Sequence, residues 1–296
     1  KGNFPDMDLA SDFSEGWQIE KPDVVFEMQN EFEIPALSDV EYQYFRIPTN
    51  FTEDKWIKAL EARPGNKSVV HHIIVFLVPH DKQFSKANVS NGLIGGYAPG
   101  LEPIDFENPE IGIKIPANSD LILQIHYTSK DSLERDRSKV GMVFYDNAPR
   151  YMCTTEAIPN LGFKIPAMAS DYEVESKRTF QNDTQIISLM PHMHLRGKSF
   201  KYTLVREDGS SEILLNVEKY DFNWQISYIF KNPLYVRSGE TIVCEAKYDN
   251  SANIPDNPNP SVEVRCGDQT WEEMMIGWFS KIENNPEYIE TVGYSM

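Results

Sequence analysis

Short runs that are either apolar or alternate between apolar and polar residues recur along this chain, with turn-forming residues between them. They include Val40–Ile47, Val69–Val78, Leu121–Thr128, Val140–Tyr145, Phe200–Val205, Ile226–Phe230, Thr241–Tyr248 and Met274–Phe279. A period of two is the signature of strands that bury one face. Helical periodicity is nearly absent; the best helix candidate is short, Glu53–Ala62, with Thr52 as its cap. Many short strands, together with 19 prolines and 16 glycines, predict an all-β chain of antiparallel β-sandwiches.

A boundary falls naturally near Asn147-Ala148-Pro149-Arg150. The expected organisation is an acidic, irregular N-terminal arm over residues 1–20, one sandwich over 21–150 and a second over 151–296, each of ordinary domain size. No internal repeat is evident. Asp249–Pro260 is a turn-rich segment whose carboxylate and amide oxygens suit calcium, but the oxygens lack a regular ligand spacing, so it reads as a solvated connector.

Hydrophobic residues make up 41% of the 296 positions, enough for a substantial core. With 28 basic against 45 acidic residues the net charge is −17, which argues against nucleic acid and anionic membranes as partners. No apolar run approaches the ~20 residues that span a bilayer. The chain starts at Lys1 and is expected to be a trimmed product, either a mature secreted or periplasmic form or a module of something longer. Three cysteines suggest one bridge and one leftover thiol.

Histidine placement changes the picture most. Five of the six histidines lie in three strand-like clusters: Val70-His71-His72-Ile73, Gln124-Ile125-His126-Tyr127 and Met190-Pro191-His192-Met193-His194. Buried imidazole needs a hydrogen bond or a metal. On a strand, residues two apart share a face, so His192 and His194 can hold one ion. Adjacent residues point to opposite faces, so His71 and His72 can share an ion only if the strand bulges or the ion sits at an edge. His126, on a separate alternating run, is the natural third donor. His80 ends a strand and reads as a surface residue. No histidine remains in the second half to complete the other pair; Met190, Met193, Met274 and Met275 are the candidates, and two imidazoles with a thioether favour copper over zinc or calcium. Methionine in a strand is more often core filler, and spacing does not choose among the four.

The succession His71-His72, Gln124-Ile-His126-Tyr127, Pro191-His192-Met-His194-Leu-Arg-Gly197 and Glu273-Met274 resembles the copper type II, ascorbate-dependent monooxygenases, the family of peptidylglycine α-hydroxylating and dopamine β-monooxygenases. The resemblance runs from about Trp17 to Ile282, and segments such as Tyr220-Asp-Phe-Asn-Trp-Gln225 and Trp271-Glu-Glu-Met-Met275 are closest to bacterial members, often modules of exported proteins. It implies two jelly-roll-like sandwiches that hold two copper ions across an open gap. His71, His72 and His126 would match the electron-donating site. His192, His194 and Met274 would match the oxygen-binding, catalytic site, with Met275 as runner-up to Met274. The implied activity is hydroxylation of a C–H bond with O2 and a reductant such as ascorbate.

Departures narrow that reading. The peptide-amidating branch grips a substrate carboxylate with an arginine two residues before the His-x-His pair and with an asparagine and a tyrosine after the methionine ligand; here those positions are Met190, Ile276 and Trp278. The expected substrate is therefore a small apolar or aromatic molecule rather than peptidylglycine. The family cysteine before His-His is Val70 here. Cys244 matches a family cysteine whose usual partner position is Met275, and the resemblance leaves Cys266 as its substitute, in an oxidising compartment, with Cys153 free. A non-catalytic copper relay would need the same ligands. A zinc protein is the other rival, weakened because no carboxylate sits in the clusters as a general base.

Overall fold

The computed structural model describes residues 16–38, 40–83, 92–255 and 257–288, and all elements found there are strands. One layer of the first half contains β1 (Val24–Glu27), β11 (Lys139–Tyr145), β4 (Lys55–Arg63) and β8 (Ile111–Ile115) in that order. Its partner layer is β3 (Gln43–Pro48), β9 (Ser119–Tyr127), β5 (Val70–Pro79) and β6 (Leu93–Tyr97). Between them lies one apolar core, including Ile57, Leu60, Ile73, Val75, Leu123, Ile125 and Met142. The second half repeats the plan. β12 (Tyr151–Pro159), β21 (Ile276–Asn284), β15 (Thr184–His192) and β18 (Tyr228–Val236) face β14 (Tyr172–Thr179), β19 (Thr241–Tyr248), β16 (Gly197–Val205) and β17 (Ser211–Val217). Its core contains Ile186, Leu189, Phe200, Tyr202, Ala246 and Phe279. The fold is thus an all-β sandwich, as the alternation predicts.

The halves share one continuous sheet. β8 and β12 pair in parallel through Ile111–Tyr151 and Gly112–Met152, so the front layers of both sandwiches run on into each other. Cys153 of β12 and Ile282 of β21 pack into the first core.

Two expectations are corrected outright. Glu53–Ala62 is not a helix: residues 55–63 form β4, the strand between β11 and β8. Its two faces are both covered, by the main core at Ile57 and Leu60 and by a small cluster of Ile19, Ala59 and Val143 on the other side. Burial on both faces erases the alternation and leaves an apolar run that imitates a helix. The expected N-terminal arm forms no strand over residues 16–20, where it is described, but packs against the body. Residues 1–15 lie outside the described residues, but Ile19 is buried, the N–H groups of Gln18 and Ile19 donate to the Glu61 carboxylate, and Trp17 stands over the cationic ends of Arg63 and Lys139. The Cys244–Cys266 bridge is absent, and all three cysteines are thiols. Cys244 is sealed in the second core with Sγ directed at Gly277, whereas Cys266 follows β20 (Val264–Arg265) and is bridged by backbone to Glu273.

The turn-rich segment after β19 is not the fully solvated connector expected, since Asp249, Asn250 and Ser251 are buried. Asn250, fully buried, accepts a hydrogen bond from Arg196 Nε at 2.9 Å and donates to the carbonyls of Pro166 and Val262. No helix among the described residues is long and apolar enough to cross a membrane.

Candidate metal centres

The first cluster is built on β5 and β9. Their register slips between Val70 and His72, so His71 is the extra residue of a bulge and His72 stands directly opposite His126. This distortion is what two adjacent histidines require if they are to face one point. The ring centroids lie 5.4 Å apart for His71–His72, 5.1 Å for His71–His126 and 5.2 Å for His72–His126. One ring nitrogen of each lies within 4.8 Å of the others.

Burial, and then the neighbouring imidazoles, hold His72 well below the usual histidine range and bring His126 down to about 3; burial lowers His71 as well. Neutral rings keep their lone pairs. His71 Nε2 lies 3.0 Å from Asn223 Oδ1, which accepts a hydrogen bond from its N–H and leaves Nδ1 as the bare nitrogen. That Nδ1 lies 3.2 Å from His72 Nδ1. Two bonds of ~2.0 Å at a tetrahedral angle would set ligand nitrogens about 3.3 Å apart. His72 Nε2 and His126 Nδ1 are buried with no partner in the protein. The donor set fits a metal ion. Tyr42, buried with its rim 5.4 Å from His72 and 5.1 Å from His126 between ring centroids, closes the cluster from the β3 side.

The second cluster sits where β15 ends. His192 is the last residue of the strand, His194 lies just beyond it, and their ring centroids are 5.3 Å apart. His192 Nδ1 is 2.7 Å from Gln225 Oε1, and His194 Nδ1 is 3.3 Å from the Glu272 carbonyl. Each ring therefore donates through Nδ1 and keeps Nε2 as its lone-pair atom, the arrangement that outer partners impose on ligating histidines. His194 Nε2 is buried without a partner. Burial lowers the pKa of both rings, that of His194 furthest. Met193 and Met275 are sealed in the second core, whereas Met190 and Met274 are partly exposed.

Glu273 ties this cluster together. It is fully buried, and its carboxylate accepts the N–H groups of His194 at 2.8 Å, Arg196 at 2.7 Å and Met274 at 3.3 Å. Burial pushes its pKa up to about 8 against the pull of those donors. One carboxylate thereby fixes the His-x-His turn against the segment entering β21. Pairing of β15 with β21 sets Met190 opposite Trp278 and His192 opposite Ile276. Directly opposed residues share a sheet face, so the neighbours of His192 there are apolar.

The gap expected between the clusters is filled. Phe222 stacks on His71 with centroids 4.9 Å apart and 9° between planes, and turns its edge to His194 at 5.9 Å. In the sequence Phe222, Asn223 and Gln225 stand out only as part of the segment 220–225 that carries the resemblance; nothing local marks them as partners of histidines far away in the chain. His80, by contrast, is exposed and pairs with Asp120, apart from both clusters.

Comparison with known proteins identifies the second half. Residues 153–276 match the family described as "Copper type II ascorbate-dependent monooxygenase, C-terminal domain". The second half is thus similar to the C-terminal domain of this family. His192, His194 and Met274 lie inside the matched copper monooxygenase segment, and the first cluster lies before it. A mouse relative, "DBH-like monooxygenase protein 2", is 24% identical over 217 residues, which are 62% of this chain and 34% of that protein. The chain thus spans about a third of that relative's length. Among solved structures, the major capsid protein P2 of bacteriophage PM2 aligns over 90% of this chain and 99% of its own with 6% identity and a TM-score of 0.35. An allantoicase aligns over 74% and 80% with 8% identity and a TM-score of 0.22. Likeness at this level carries no argument.

Proposed function

We propose that this chain is a reductant-dependent copper monooxygenase that inserts one atom of O2 into a C–H bond of a small apolar or aromatic molecule. The other oxygen atom leaves as water, using two electrons and two protons from ascorbate or another donor. In this reading His71, His72 and His126 hold one copper ion, and His192, His194 and Met274 hold a second. Met274 is assigned over Met275 because the latter's side chain is spent in the core. Bound copper would supply one-electron redox chemistry and oxygen activation.

The carrying observation is the pair of buried neutral imidazole clusters whose lone pairs are freed by Asn223, Gln225 and the Glu272 carbonyl. Nitrogen donors without carboxylates favour copper over harder ions. The protein's part is to hold those nitrogens, to keep them unprotonated by burial, and to offer an apolar wall of Met190, Ile276 and Trp278 that has no cation for a carboxylate. The division into sandwiches at about residue 150 and a secreted or periplasmic setting belong to the same proposal. The thiol state of the cysteines withdraws the disulfide argument for that setting.

A specific observation keeps a second reading: Phe222 occupies the space between the clusters. A copper relay needs no substrate cavity. Copper-loaded chain with ascorbate, O2 and a panel of carboxylate-free aromatic and aliphatic substrates separates the two. Steady formation of hydroxylated product, abolished by His192→Ala and by His72→Ala, supports the enzyme; two bound copper ions with no product from any substrate supports the relay.

A further inference from the structure

We propose that the loop Tyr220–Gln225 is a strap that orients the imidazoles of both clusters, with Asn223 and Gln225 as positioning residues, one for each site. The inference rests on the metal-binding reading of the clusters and goes beyond it, because it concerns residues outside either ligand set.

The loop touches both clusters within four residues. Asn223 Oδ1 faces His71 Nε2 at 3.0 Å, and Gln225 Oε1 faces His192 Nδ1 at 2.7 Å. Which end of the Gln225 amide meets the ring is decided by the loop itself: Gln225 Nε2 donates to the Phe222 carbonyl at 2.9 Å, so the oxygen is left for His192. An amide oxygen can only accept, so each contact places the ring proton on the nitrogen facing the loop and leaves the other nitrogen bare. Between these two anchors Phe222 lies flat on His71 and edge-on to His194.

The strap is pinned at three further points. Tyr220 Oη donates to the Met193 carbonyl at 2.7 Å and accepts the Met193 N–H at 3.0 Å, gripping the residue between His192 and His194. Asp221 Oδ1 accepts the Asn223 N–H at 2.8 Å, an Asx turn that presets the loop. Trp224 lies on Gly100 of the first half, where a Cβ would come within 2.7 Å of its ring. The strap therefore bridges both sandwiches at the point where their histidines approach, and its position sets ring orientation at the two sites jointly.

The test is a copper titration of the full apo chain, with Cu(I) competed against a chelator of known affinity and the Cu(II) form read by electron paramagnetic resonance. His72→Ala and His192→Ala assign the two equivalents. Asn223→Ala is expected to weaken the first-cluster equivalent by about 10- to 100-fold and leave the second, and Gln225→Ala to do the reverse. Asn223→Asp and Gln225→Glu, which keep an acceptor oxygen, should recover most of the affinity and the wild-type spectrum; a purely structural role would show no such recovery. Trp224→Ala, at a residue 58% exposed, loosens the strap without opening a core and should weaken both equivalents together. Unchanged affinities in both alanine variants overturn the proposal, as does loss without recovery by Asp and Glu, or a Trp224→Ala chain identical to wild type. A wild-type chain that binds fewer than two equivalents refutes the metal reading instead, a result distinguishable from failure of the strap.

Discussion

Replacing Glu273 by alanine tests the account of the second cluster most directly. The carboxylate is fully buried and is the acceptor for three backbone N–H groups, those of His194, Arg196 and Met274. Alanine would leave all three donors without a partner away from water. Each such loss costs ~1–3 kcal/mol, and relaxation of the turn recovers part of it, so the expected destabilisation is about 3–6 kcal/mol. That is a large share of the ~5–15 kcal/mol by which folded domains are stable. Glu273→Gln keeps the volume and one acceptor oxygen but turns an NH2 group toward at least one N–H, for an expected ~1–3 kcal/mol. Urea unfolding followed by tryptophan fluorescence measures both. With a slope of ~3 kcal/mol/M, alanine should lower the midpoint by about 1–2 M and glutamine by less than 1 M. Glu175→Ala, at an exposed position on β14, is the control and should stay within ~0.5 kcal/mol. Because the same carboxylate aligns His194 with Met274, Glu273→Gln should also weaken copper at the second cluster while the first retains its equivalent. A Glu273→Ala chain that unfolds at the wild-type midpoint would show that the three hydrogen bonds carry no weight, and the reasoning would fail.

Gly277→Ala should cost ~1–3 kcal/mol, because its Cβ would come within 2.5 Å of Cys244 Sγ and 3.0 Å of the Tyr202 ring. Adding Cys244→Ala should return most of that loss in a double-mutant cycle, and an additive double variant would disprove the clash. Thiol titration in denaturant without reductant should count three groups per chain, matching the three free cysteines; a count of one would reinstate a bridge. Burial pushes the Cys153 thiol up to about 12 from its ordinary 9.0. The unfolded chain then loses this proton first, so the buried thiol contributes stability that is complete below pH 9 and drains away toward pH 12, by ~1.4 kcal/mol per pH unit. Between those limits the stability of wild type should fall more steeply with pH than that of Cys153→Ala, and parallel curves would contradict the burial argument.

What could be read from the sequence, and what could not, divides along one physical line. Alternation is a local property, so β19 is found with its full bounds, Thr241–Tyr248, and the all-β class follows. The bulge at His71 is one of the two arrangements that the stereochemistry of adjacent strand residues allows if both rings are to meet one ion, the other being an ion at an edge. Burial on both faces is not local: β4 is covered on one side by the core and on the other by Ile19 and Val143, and that second covering hides the strand's period. Cys244 shows the same limit, since its fate depends on the space left by Gly277 across the sandwich rather than on its distance in sequence from Cys266.

The sites carry this division to the level of single atoms. Residue type and spacing select which side chains can donate to a metal, and five histidines in three runs are enough for that. They do not select which nitrogen of each ring is bare. That choice is made by Asn223 on His71, by Gln225 on His192 and by the Glu272 carbonyl on His194, contacts that span between 33 and 152 residues of chain. An imidazole whose outer partner is missing can present either nitrogen, and the two point in widely different directions, so a bound ion would sit in a different place. The candidate donors therefore follow from local pattern, while the orientation of their rings follows from partners distant in the chain, the loop 220–225 for His71 and His192 and the Glu272 carbonyl for His194.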